Sequence, residues 1–189
     1  MNSLARWCTV AIVSAVVLFA FVGVDGRAAE PIPSAPSAAD ASKPASCAAL
    51  EYRQFDFWIG DWDAFDVDKP TIKTARNHVD LILDGCVLRE DYEGADGHEG
   101  QSFSIYDASR KVWHQSWVTN RGELLVIEGK FEAGEMVLSG VDRTAAGQPL
   151  VRGTWKPMDG GVRETAVTST DGGKTWKPWF DLVFRPHKP

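Results

Sequence analysis

Helical periodicity is almost missing from this sequence, and so are the short motifs that carry common chemistry. There is no G-x-S-x-G, no H-E-x-x-H, no paired C-x-x-C and no phosphate-binding glycine loop, so no nucleophile, zinc-protease or nucleotide site is written in it. Basic patches are missing too. The 20 Lys and Arg are outnumbered by 26 Asp and Glu, for a formal charge of −6, and the cations are scattered. Nucleic acid, whose phosphates demand clustered Lys and Arg, is therefore not an expected partner. Histidine is scarce, with four in all, and cysteine scarcer, with three.

What is present begins with a targeting pattern. Arg6 is followed by an uncharged run from Cys8 to Val24 and then by the small residues of "GRAAE". That order predicts a signal peptide over 1–28, cleaved after Ala28; an uncleaved anchor is the rival, at the short limit for crossing a bilayer. Cys8 lies too early for a lipoprotein cysteine. Residues 29–46, "AEPIPSAPSAADASKPAS", are mostly Ala, Pro and Ser, a composition unable to bury a core, and predict a disordered linker. The folded domain is expected over 47–189, periplasmic or secreted, with no membrane contact after cleavage. Export leaves Cys47 and Cys86 as an even pair, which reads as one disulfide, with a metal site the weaker alternative.

From residue 60 onward short runs of Val, Ile, Trp, Phe and Thr alternate with Gly-, Asp- and Asn-marked turns. Ten strands are predicted, near 61–67, 72–83, 86–93, 101–107, 111–118, 123–131, 135–141, 150–157, 161–169 and 176–185. The links suit hairpins, so consecutive strands pair antiparallel. The fold class is all-β, an up-and-down barrel of about ten strands, because closure removes the exposed edges. A sandwich is the alternative. Ten strands also leave room for a cavity.

The stretch "EYRQFDFWIGDWDAF" at 51–65 is similar to the G-x-W entry of lipocalin-like (calycin) barrels. With "LDGCVLRE" and "YDASRKVWHQSWV", it resembles an uncharacterised family of exported bacterial domains carrying an F-D-F-W-x-G-x-W signature. The resemblance implies a fold, with Trp62 plugging a barrel floor, and no chemistry. Physically, Phe55, Phe57, Trp58 and Trp62 can close one barrel end. The length, strand count and G-x-W entry are also similar to nitrobindin-like barrels, which implies haem as an alternative cofactor, with His114 or His78 as the iron ligand. His98 and His187 read as solvated.

"STDGGKTW" at 169–176 fits the Asp-box of sialidases, but one copy in a short domain reads as a turn device: Ser and Asp bond turn backbone and the glycines supply positive φ. Side-chain alternation sorts the rest. Leu88, Glu90 and Tyr92 are expected inside, as are Met136 and Leu138, and Trp176, Phe180, Leu182 and Phe184. On 111–118 one face carries Trp113, Gln115 and Trp117 and the other His114, and either could face in. The candidate ligand-binding set is Glu90, Tyr92, Trp113, Gln115, Trp117 and Arg163, with Arg163 neutralising Glu90 or clamping a ligand carboxylate. The expected function is non-catalytic binding of a small hydrophobic or aromatic molecule inside the barrel. The alternatives are haem binding and an enzyme with Glu90 as acid or base; otherwise no cofactor or metal is expected.

Overall fold

A computed structural model describes residues 47–188; the predicted signal peptide and linker lie outside them. Two short 3₁₀ turns, Leu50–Arg53 and Asp56–Trp58, precede ten strands: β1 Gly60–Asp66, β2 Lys73–Ile82, β3 Val87–Gly94, β4 Glu99–Asp107, β5 Val112–Thr119, β6 Leu124–Glu132, β7 Glu135–Val141, β8 Leu150–Met158, β9 Gly161–Ser169 and β10 Lys177–Pro186. Each strand pairs with the next, and β10 pairs with β1, giving a closed antiparallel up-and-down barrel. The hairpin links force this order, since a short turn can only return the chain beside the strand it left. No helix among the described residues is long and apolar enough to cross a membrane.

The 3₁₀ turns close one end. Phe55 is fully buried between Trp113 and Trp155, with ring centroids at 5.7 and 5.6 Å, and Trp58 meets Phe184 edge-on at 4.6 Å. Trp62 stacks on Trp58 at 5.8 Å and donates its indole N–H to the Trp58 carbonyl at 3.0 Å. A Cβ added at Gly60 would sit 2.8 Å from the Trp62 ring, so the position two before this tryptophan must be side-chain-free for the ring to fold back over the chain. Each large apolar side chain buried here contributes roughly 2–3 kcal/mol. Cys47 and Cys86 form a disulfide across 39 residues, which ties the start of the plug to the β2–β3 turn. Chain entropy makes this crosslink worth roughly 4 kcal/mol. Arg53 donates to the Gly85 carbonyl at the same place.

The "STDGGKTW" turn joins β9 to β10. Asp171 accepts from the Thr175 hydroxyl and amide at 2.6 and 2.9 Å, while the Gly173 amide donates to Ser169 Oγ at 2.9 Å. One expectation is corrected here. Trp176 precedes β10, donates to the Gly173 carbonyl at 3.1 Å and lies under the Arg152 guanidinium at 4.2 Å. Arg152 is exposed and alternates with buried Val151, so Trp176 covers the outer wall and does not face the interior. Asp171 draws the turn tight and leaves the indole outside it.

Candidate functional site

Strands β3, β5, β7 and β9 run from the plugged floor toward the opposite rim, and their inward positions build the interior in layers. The floor is aromatic. Above it, β3 turns Glu90 inward, directly across from Ser102 on β4. Ser102 donates its hydroxyl to Glu90 Oε2 at 2.7 Å, and the Asn77 amide donates to Oε1 at 3.0 Å. Gln115 donates to Ser104 Oγ at 3.0 Å beside them. Asn77, Glu90, Ser102, Ser104 and Gln115 are all buried. The barrel therefore carries a polar shelf where a filled barrel would carry aliphatic side chains.

A second carboxylate enters from the far side. Glu164 on β9 lies across from Trp155 and Leu182, and along the ring β3-β2-β1-β10-β9 it faces β3. It sits deep in the molecule, yet part of its surface stays accessible. Burial raises both acids. For Glu90 the bonds from Ser102 and Asn77 oppose that rise, and nearby Asp91 adds to it. Glu164 is raised well above the ordinary range, by burial first and then by the charge of Glu90, with only the Trp155 indole opposing. Two like charges facing each other in a poorly hydrated space cannot both ionise cheaply. Glu164, with fewer polar neighbours, is the more strongly raised of the two.

Two buried polar atoms beside the acids have no hydrogen-bond partner: Asn77 Oδ1, at the other end of the amide bound to Glu90, and Trp155 Nε1 between floor and shelf. Trp58 Nε1 in the floor, His98 Nε2 at the rim, and Arg53 Nε and Asp56 Oδ1 in the plug also lack one. The Trp155 N–H is close enough to favour the charged form of Glu164, but it closes no hydrogen bond of proper geometry with it or with any other group. Buried polar groups are nearly always satisfied, so two orphans together mark a place where another molecule or water belongs.

Toward the rim the lining turns aromatic again. Tyr92 meets Trp117 at 5.8 Å and 78°, and His98 packs against both, at 6.1 and 6.4 Å. Gly100 makes room for this group, since a Cβ there would come within 2.4 Å of the Trp117 ring. His98 Nε2 lies 3.3 Å from Glu123 Oε2. The Tyr92 hydroxyl is pushed up by burial, then by Glu164, Asp96 and Glu90, with Arg121 opposing, so rim and shelf share one electrostatic environment.

Of the residues singled out in the sequence, Glu90, Tyr92, Gln115 and Trp117 meet in this interior. Trp113 shares the inward face but belongs to the floor, where its N–H donates to Gln54 at 3.1 Å. Arg163 is the correction: it stands on the outer wall in a two-point pair with Asp181, at 2.8 and 2.5 Å, and neighbouring Glu164 takes the inward position. His114 and His78 also face outward, paired with Glu128 and Asp61 at 2.9 Å each, so neither is placed to hold an iron inside the barrel. His98 and His187, expected to be solvated, are both partly buried: the His98 ring packs on Tyr92 and Trp117 with Nε2 closing no hydrogen bond, and His187 lies 3.0 Å from Asp63 and 2.8 Å from Arg76. One depression is lined by Asp91, Tyr92, Glu99, Gly100 and Asn120, and another by Glu128, Ser139 and Arg152.

Asn77, Ser102, Glu164 and His98 were missed. The inward row Val162-Glu164-Ala166 could have revealed Glu164, since its neighbours are apolar and those of Arg163 are not. Compared with known proteins, the chain matches no family model and no curated sequence.

Proposed function

We propose that this barrel binds a small, partly apolar molecule in its interior, without transforming it, as an exported protein. The observation that carries this reading is the pair of unpartnered buried atoms, Asn77 Oδ1 and Trp155 Nε1, set at a polar shelf between an aromatic floor and an aromatic rim. That is the composition of a ligand pocket: mostly apolar walls and a few convergent polar groups. The disulfide and the uncharged N-terminal run support export, and the F-D-F-W-x-G-x-W stretch supports kinship with exported lipocalin-like domains.

Native mass spectrometry of the full chain recovered from its export compartment tests it. A co-purifying small mass that is lost in the Asn77→Leu variant is expected. An apo mass alone, together with an interior that accepts no small molecule on titration, would sink the reading. The opposed acids favour a second reading, an acid–base enzyme with Glu164 as proton donor. Turnover of a bound molecule, abolished by Glu164→Gln, would replace the first reading with this one.

A further inference from the structure

Charge is distributed unevenly across the barrel wall. Five cations stand outside with carboxylate partners: Arg89 with Asp80, Arg110 with Glu128, Arg121 with Asp96, Lys156 with Glu135, Arg163 with Asp181. Inside are two carboxylates, and none of the groups acting on either one is a cation. Glu90 meets Ser102, Asn77 and, at longer range, Asp91; Glu164 meets Glu90 and the Trp155 indole. Tyr92 faces the pair from the rim side. Its own charged neighbours are the two glutamates, Asp96 and Arg121, and Arg121 is occupied by Asp96 at 2.8 Å. A buried acid pair with no internal counter-charge is costly to keep, and the missing partner is a positive one.

We propose that the interior ligand is an organic cation, a protonated amine or amidine on an apolar or aromatic body, with its charged head between Glu90 and Glu164. The proposal rests on the interior-binding reading above and names its ligand class. An ammonium head carries donors and no acceptor, so it can bond Glu90, Glu164 and the unpartnered Asn77 Oδ1 together. The second orphan is then resolved by the same event. Ionised, Glu164 is a stronger acceptor for the Trp155 N–H than its protonated form. The body of the ligand lies toward Tyr92 and Trp117, whose ring faces attract positive charge as it enters. A neutral polyol would satisfy Asn77 Oδ1 but leave the acids uncompensated, and a carboxylate would add a third negative group. The acidic chain, −6 overall, steers cations toward the molecule and anions away from it.

The experiment uses the full chain and matched probes of equal body and different head: phenylalkyl amines of two to four methylenes, the corresponding alcohols and the corresponding carboxylates. Tryptophan emission and titration calorimetry at neutral pH report binding. The amines are expected to bind more than ~10-fold tighter than the alcohols, with the carboxylates weakest, a ratio usual for a desolvated charge pair. Amine binding should release up to about one proton per site, read from runs in buffers of different ionisation enthalpy, because the cation displaces the shared proton. Glu164→Gln should cut the amine preference to a few-fold or less, retain alcohol binding and abolish proton release. Asn77→Leu should weaken amines and alcohols alike. Alcohols or carboxylates binding as tightly as amines would overturn the cation proposal and leave interior binding standing. Failure of every probe to bind, with the variants still folded by thermal melt, would overturn both.

Discussion

Trp113 and Trp117 share one face of one strand and differ in what lies behind them. Trp113 is 1% exposed, hydrogen-bonded to Gln54 and flanked by Phe55 and Tyr106. Removing its indole leaves a void in a plug that cannot collapse. Trp113→Ala is expected to cost roughly 3–5 kcal/mol, the range for deleting a large buried aromatic. Trp117 is only partly buried, against Tyr92 and His98. Trp117→Ala should cost roughly 1–2 kcal/mol while weakening binding of any interior ligand. Urea unfolding separates the two, as a midpoint shift at constant slope. Equal losses at both positions would assign Trp117 to the core and remove it from the site.

Strands were the most legible part of this sequence because turn chemistry and hairpin geometry are local. All ten appear within two residues of where Gly, Asp and Asn punctuation placed them, and β7 and β9 coincide with expectation. Facing was harder, since it depends on what occupies the interior. Leu88, Glu90, Met136 and Leu138 followed alternation, and all are buried. β4 inverts it: Ser102 and Ser104 are buried, whereas Phe103 and Ile105 are 38% and 37% exposed. A rule that sends apolar side chains inward fails wherever the interior is polar by design, and that is why Ser102 and Asn77 were invisible. Arg163 misled for the same reason, since Glu164 is the polar residue on the inward row. The G-x-W entry, in contrast, is a close-approach requirement that sequence displays directly. Gly60→Ala would push a methyl to 2.8 Å from a ring stacked on Trp58, a crowding expected to cost about 1–3 kcal/mol. A thermal melt of the variant should fall by several degrees; an unchanged melt would show that the Trp62 ring has room to move.

For the molecule as a whole, two sets of carboxylates pull stability in opposite directions with pH. On the outer wall, the Thr175 hydroxyl and amide hold Asp171 down at about 2, and Arg110 and His114 hold Glu128 at about 2. Their folded forms stay ionised where the unfolded chain has taken up protons. The stabilisation they give is present above their ordinary range and is lost as pH falls toward 2. Each is solvent-screened, so the individual effects are small. Inside, Glu90 and Glu164 behave in reverse. The unfolded chain ionises them near 4.5, while burial keeps the folded pair from ionising fully. Their contribution is complete below about 4.5 and drains away as pH rises through the folded values, because the native state then binds more protons than the unfolded one. The ligand-free protein should therefore melt highest in mildly acid solution and lose stability on both sides. Glu164→Gln removes the pair's mutual repulsion and its titration. It should make the decline above about pH 4.5 shallower, with Glu90 still raised by its own burial, and leave the limb below about pH 4 in place. Melting temperature against pH for the two proteins decides the matter: parallel curves from 5 to 8 would mean that the two glutamates do not share a buried environment.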